Sequence, residues 1–111
     1  MKKFIALFRE PDGRADQHTE NAIKAHRENW AAWMKRWQQQ INGGSGLTLD
    51  GRMLKAPQAE VIHDVYKNGT EIVGGFLLIT ATDLDAAAAM MQSCPIFEFG
   101  GYIEIRELQQ Q

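Results

Sequence analysis

One cysteine, Cys94, stands among 111 residues, so no disulfide can form within the chain, which suits a reducing compartment. Neither charge is in large excess. Lys+Arg number 12 against Asp+Glu 14, a net charge of -2, which leaves no global attraction for nucleic acid or an anionic membrane. Long hydrophobic runs are missing too. The first apolar run, in MKKFIALFREPDG, stops at Arg9, short of a signal h-region and far short of a membrane span. The expectation is therefore a cytoplasmic protein with no nucleic-acid or membrane partner. The three histidines, His18, His26 and His63, lack a ligand spacing such as His-x3-His, so no metal is expected. The Gly-Gly pairs at Gly43-Gly44, Gly74-Gly75 and Gly100-Gly101 match neither GxGxxG nor a P-loop, so no nucleotide cofactor is expected either. With no Gly/Ser/Pro-rich linker, residues 1–111 read as a single domain.

What is present has a clear periodicity. Lys3 to Phe8 is apolar on both alternating sets, as a strand covered on both faces would be. Glu10-Pro11-Asp12-Gly13 ends it, and Asp16 or Thr19 can cap the following helix. That helix is read from about Gln17 to Gln40. Ile23, His26, Trp30, Trp33, Trp37 and Ile41 form one helical stripe, and Asn42-Gly43-Gly44 reads as its stop. Leu47 to Leu54 reads as a small hairpin around Asp50-Gly51. Ala59 to Tyr66 reads as a strand and Ile72 to Ala81 as a strongly apolar one. Thr82 with Asp85 offers a capping box for an Ala-rich helix to about Ser93, with Leu84, Ala87, Ala88 and Met91 inward. Pro95 cannot continue it, and Tyr102 to Leu108 reads as the last strand.

The order β-α-β-β-α-β is the ferredoxin-like split βαβ pattern, an α+β fold with an antiparallel sheet and both helices on one face. The first and third strands are apolar on both sides, so the helix-free face also needs cover. A second copy facing it supplies that cover, giving a homodimer with the dimeric α/β-barrel arrangement.

Several segments resemble the YCII-related family, and within it the DGPF branch. They are NWAAWMKRW, GLTLDGRML and above all EIVGGFLLITATDLDAAAAMMQSCPIFEFGGYIEIREL. The resemblance implies the same dimeric α/β barrel. The branch's Asp-Gly-Pro-Phe signature falls at His63-Asp64-Val65-Tyr66, where only the final aromatic is kept. In the family's other branch an Asp-Pro, whose Asp is proposed to pair with a helix histidine, stands where this chain has Cys94-Pro95. The resemblance thus implies a helix histidine, His26, without its acid at that place.

Five residues stand out as candidates. His26 interrupts an apolar stripe, where an imidazole can bind a ligand or move a proton; its structural reading is a core histidine bonded to backbone. Trp30 and Trp33 can wall an aromatic site, or simply pack helix on sheet along with Trp37. Asp64 and Arg106 are candidate polar contacts for a ligand, and Arg106 could hold a carboxylate. His63 faces away from Asp64 if both lie in a strand. Glu104 two residues before Arg106 suggests an ion pair, and Arg9 and Arg52 are weaker cation candidates. Cys94 at a helix end reads as structural rather than as a thiolate. The residues therefore suggest a small-molecule binder with an apolar or aromatic-acid ligand between the first helix and the sheet. The alternative is a cofactor-free lyase or isomerase with His26 as general acid or base.

Overall fold

A computed structural model describes residues 1–13 and 17–110. Asp16, one of the two candidate caps, lies outside the described residues. The elements run β1 (Lys2–Pro11), α1 (Glu20–Arg36), β2 (Ile41–Gly46), β3 (Glu71–Ala81), α2 (Leu84–Met91), a short 3-10 helix (Pro95–Phe99) and β4 (Tyr102–Glu107). The antiparallel sheet has the order β2-β3-β1-β4, the ferredoxin-like arrangement.

The register explains the layering. Phe4 pairs with Ile79, Ala6 with Leu77 and with Ile105, and Phe8 with Gly75 and with Ile103. Side chains at these positions share one face. Phe4, Ala6, Phe8, Leu77 and Ile79 are buried there with Trp33 of α1, Met90 and Met91 of α2, and Ile96. The opposite face carries Ile5, Leu7, Phe76 and Leu78, all half-buried, and among the described residues no helix packs on it. The body measures 45 × 43 × 19 Å, two layers thick.

The caps follow simple chemistry. Thr19 Oγ1 accepts from the Ala22 amide at 3.1 Å and starts α1. Asp83, rather than Thr82, caps α2, its Oδ1 accepting from the Ala86 amide at 2.8 Å. On α2 the buried set is Ala87, Met90 and Met91, while Leu84 is exposed.

The second strand departs from the expectation. The helix ends at Arg36, and the glycine-rich Ile41–Gly46, whose Asn42-Gly43-Gly44 reads above as a helix stop, is the strand paired with β3. Glycine permits it. At Gly44, φ is 138°, and a Cβ there would run into the Phe76 carbonyl oxygen. At Gly75 a Cβ would lie 2.9 Å from the Ser45 carbonyl oxygen, so β2 and β3 approach with no side chain between them. The stretch Ala59 to Tyr66 is not a strand of the sheet. It lies in the excursion between β2 and β3, tied by one bridge between Met53 and Ile62. Its alternation of apolar residues does not mark a buried face, since Val61, Ile62 and Tyr66 are all exposed.

Candidate functional site

The glycines of β2 and β3 shape the site. Where the sheet passes beneath α1, Gly44, Gly46, Gly74 and Gly75 present backbone instead of side chains. The result is a cleft of about 400 Å³ between helix and sheet. Phe8, Trp30, Met34 and Leu77 make most of its walls apolar, and His26, Glu10 and Ser45 add polar groups. The Glu10 side chain lies over Gly74, where a Cβ would collide with it.

His26 is held from both sides. Its Nδ1 lies 2.7 Å from Glu98 Oε1, and its Nε2 lies 3.0 Å from Trp30 Nε1. An indole N–H can only donate, so Nε2 accepts and carries no proton. The ring's proton then sits on Nδ1 and is donated to the Glu98 carboxylate. Asn29 Nδ2 donates to the other carboxylate oxygen at 2.8 Å, which fixes the Glu98 side chain. Phe99 stacks on His26 at 4.2 Å between ring centroids and on His18 at 3.8 Å. Trp30 meets Phe8 and Trp33 edge to face, at 5.5 and 5.8 Å. The cleft side of the imidazole is therefore an acceptor, bonded to the Trp30 indole.

The other candidates lie elsewhere. Trp33 is 5% exposed in the core and donates to Ser93 Oγ at 3.1 Å. Asp64 sits in the excursion beside Lys67, its Oδ1 accepting from the Val65 amide at 2.8 Å, and is not part of the cleft. His63 and Arg52 are exposed in the same excursion, Arg52 donating to the Gly51 carbonyl oxygen. Arg106 is exposed on β4, opposite Ile5 on the helix-free face. The expected Glu104–Arg106 pair gives way to a cross-strand one. Arg9 reaches Glu104 Oε1 through Nε at 3.1 Å and Nη2 at 3.0 Å, because the two side chains share that face of adjoining strands. That bond, ahead of Coulombic attraction from Glu104 and Glu71, raises the Arg9 pKa. Tyr102 donates to Glu71 beside them, and this bond pushes the phenol pKa up.

Cys94 is buried, and burial pushes its thiol up to about 11. Its position before the 3-10 helix, not only the end of α2, explains the need for a small neutral side chain. Glu98 escaped the sequence reading. Its signal was a single carboxylate between Phe97 and Phe99, in a turn bounded by Pro95 and Gly100.

Fold and site together define a ferredoxin-like α+β domain with an apolar cleft beside a histidine–carboxylate pair. The YCII-related domain matches residues 12–110, and the chain belongs to the YCII-related family. Among solved structures it is similar to 5-chloro-2-hydroxyhydroquinone dehydrochlorinase (TftG) from Burkholderia phenoliruptrix AC1100, in complex with 2,5-dihydroxybenzoquinone. Identity is 14%, the TM-score is 0.47, and 97% of this chain and 95% of that one are covered. No curated protein matches the chain. Among the described residues no helix is long and apolar enough to cross a membrane.

Proposed function

We infer that the protein binds a small aromatic ligand in the cleft between α1 and the sheet, as a homodimer in the cytoplasm. The observation that carries the ligand site is the side-chain-free floor. Four glycines line it without side chains, and at Gly46 the space a side chain would fill stands open. The support for a second copy is the helix-free sheet face, where Ile5, Leu7, Phe76 and Leu78 stand in a body only 19 Å thick. A sheet face pairing with its own copy makes a closed, isologous contact. Asp64 and Arg106 lie outside this cleft, so the reading rests on Trp30 and His26.

The test is calorimetric titration with 2-naphthol against the wild-type protein and Gly46→Leu. A Cβ at Gly46 meets nothing nearer than the Gly74 carbonyl oxygen at 4.0 Å, so the added side chain fills the cleft without forcing the backbone. Binding to the wild type and its loss in the variant support the reading. Equal binding to both places the ligand elsewhere.

The His26–Glu98 contact favours a second reading, a cofactor-free lyase or isomerase in which His26 moves a proton. Glu98 would orient the ring, and Trp30 would leave Nε2 when substrate arrives. Deuterium exchange into 2-tetralone, an aromatic ketone with acidic α C–H groups, separates the two. Catalysed exchange that disappears in His26→Gln supports the enzyme, and absent exchange with intact binding supports the binder.

A further inference from the structure

The hydrogen-bond polarity around His26 narrows the ligand class. Resting on the cleft-binding reading above, we propose that the cleft selects neutral aromatic molecules bearing a hydroxyl that can donate, phenols above all, and discriminates against aromatic carboxylates.

The Glu98 carboxylate has acceptors only. It fixes the imidazole proton on Nδ1, on the side away from the cleft. Asn29 holds that carboxylate in place. The opposite nitrogen, Nε2, is consequently an acceptor, and in the resting protein the Trp30 indole N–H satisfies it. A ligand seated between Trp30, Phe8 and the glycine floor meets that acceptor only by bringing a donor of its own. A ligand seated there turns the indole aside, and a phenol O–H, a stronger donor than the indole N–H, takes its place at Nε2. A carboxylate or an ether oxygen would set lone pair against lone pair at Nε2. Trp30 thus acts as a displaceable placeholder, and Glu98 sets the polarity from outside the cleft.

The experiment compares 2-naphthol, 2-methoxynaphthalene and 2-naphthoate, three probes of one ring system, by calorimetry on the full chain. The wild type is expected to bind 2-naphthol about fivefold tighter than the ether, the worth of one neutral hydrogen bond, and 2-naphthoate weakest. Trp30→Phe keeps an aromatic wall and removes the competing N–H, so the naphthol-to-ether preference should widen. Glu98→Gln combined with Trp30→Phe removes both the carboxylate acceptor at Nδ1 and the indole donor at Nε2, so neither nitrogen is held to one role and the preference should fall toward one. Long-range 15N–1H spectra of the imidazole read the same change directly, as growth of the Nε2–H tautomer at the expense of Nδ1–H. Equal affinities for naphthol and ether in the wild type, or tighter binding of naphthoate, would overturn the polarity argument while leaving the cleft as a binding site. Failure of all three probes to bind would overturn the cleft reading itself, and the polarity proposal with it.

Discussion

Glu98 accepts the Nδ1 proton of His26 at 2.7 Å, joining a side chain of α1 to one 72 residues later in the 3-10 helix. The pair is partly exposed, with 20% of the His26 side chain and 39% of the Glu98 side chain accessible. In the proposed site its role is orientation rather than stability. Glu98→Gln should lower folding stability by no more than about 1 kcal/mol, measured by urea denaturation. A loss of several kcal/mol would make the pair a structural support instead.

Gly44 and Gly46 should part ways on substitution. Gly44 has φ of 138°, and a Cβ there strikes the Phe76 carbonyl, so Gly44→Ala should cost about 1–3 kcal/mol. Gly46→Ala meets open space and should be neutral or slightly stabilising, by up to about 1 kcal/mol, through the unfolded chain. Denaturant melts of the two variants side by side check the contrast.

Leu7 stands on the helix-free face opposite Glu104 of β4. In the proposed homodimer this face is covered, so Leu7→Glu should convert dimer to monomer with the circular dichroism spectrum preserved. Light scattering at micromolar concentration reads the change. A wild-type monomer under those conditions would contradict the two-sheet contact.

Cys94 should be a slow thiol. Its pKa stands at about 11 against an ordinary 9.0, two pH units higher, which cuts the thiolate fraction at pH 8 roughly a hundredfold. Maleimide labelling of the native chain should be slower than of the urea-unfolded chain by at least that factor. The sign for stability follows. Burial favours the neutral thiol, so the stabilising contribution is complete below about pH 9. It is lost as the pH rises from 9 toward 11, because the unfolded chain ionises first. Cys94→Ala should remove this alkaline loss.

The fold was largely legible because it is written in periodicity. Phe4, Ala6 and Phe8 against Ile5 and Leu7, and the stripe through Trp30 and Trp33, are local patterns that report which faces are covered. The second strand was not legible. Its sequence, INGGSG, carries turn chemistry, and what makes it a strand is its pairing with β3, with Gly44 and Gly75 at close approach, a tertiary fact. The Ala59 to Tyr66 stretch misled for the converse reason, since its alternation has no neighbouring strand to bury it. At the site, His26 and Trp30 were visible as members of one helix stripe. Glu98 was not, because contact across 72 residues leaves no spacing to read, and the position expected to supply an acid is the buried Cys94.

The three tryptophans allow the most direct test of the cleft. In 15N–1H spectra their indole signals report separately on Trp30 at the cleft, Trp33 bonded to Ser93 in the core, and Trp37 at the end of α1. On titration with 2-naphthol the Trp30 indole signal should move strongly as its bond to His26 is exchanged, while that of Trp33 stays in place. A Trp30 signal unmoved at saturation, or a Trp33 signal moving as far, would contradict a ligand site between α1 and the sheet.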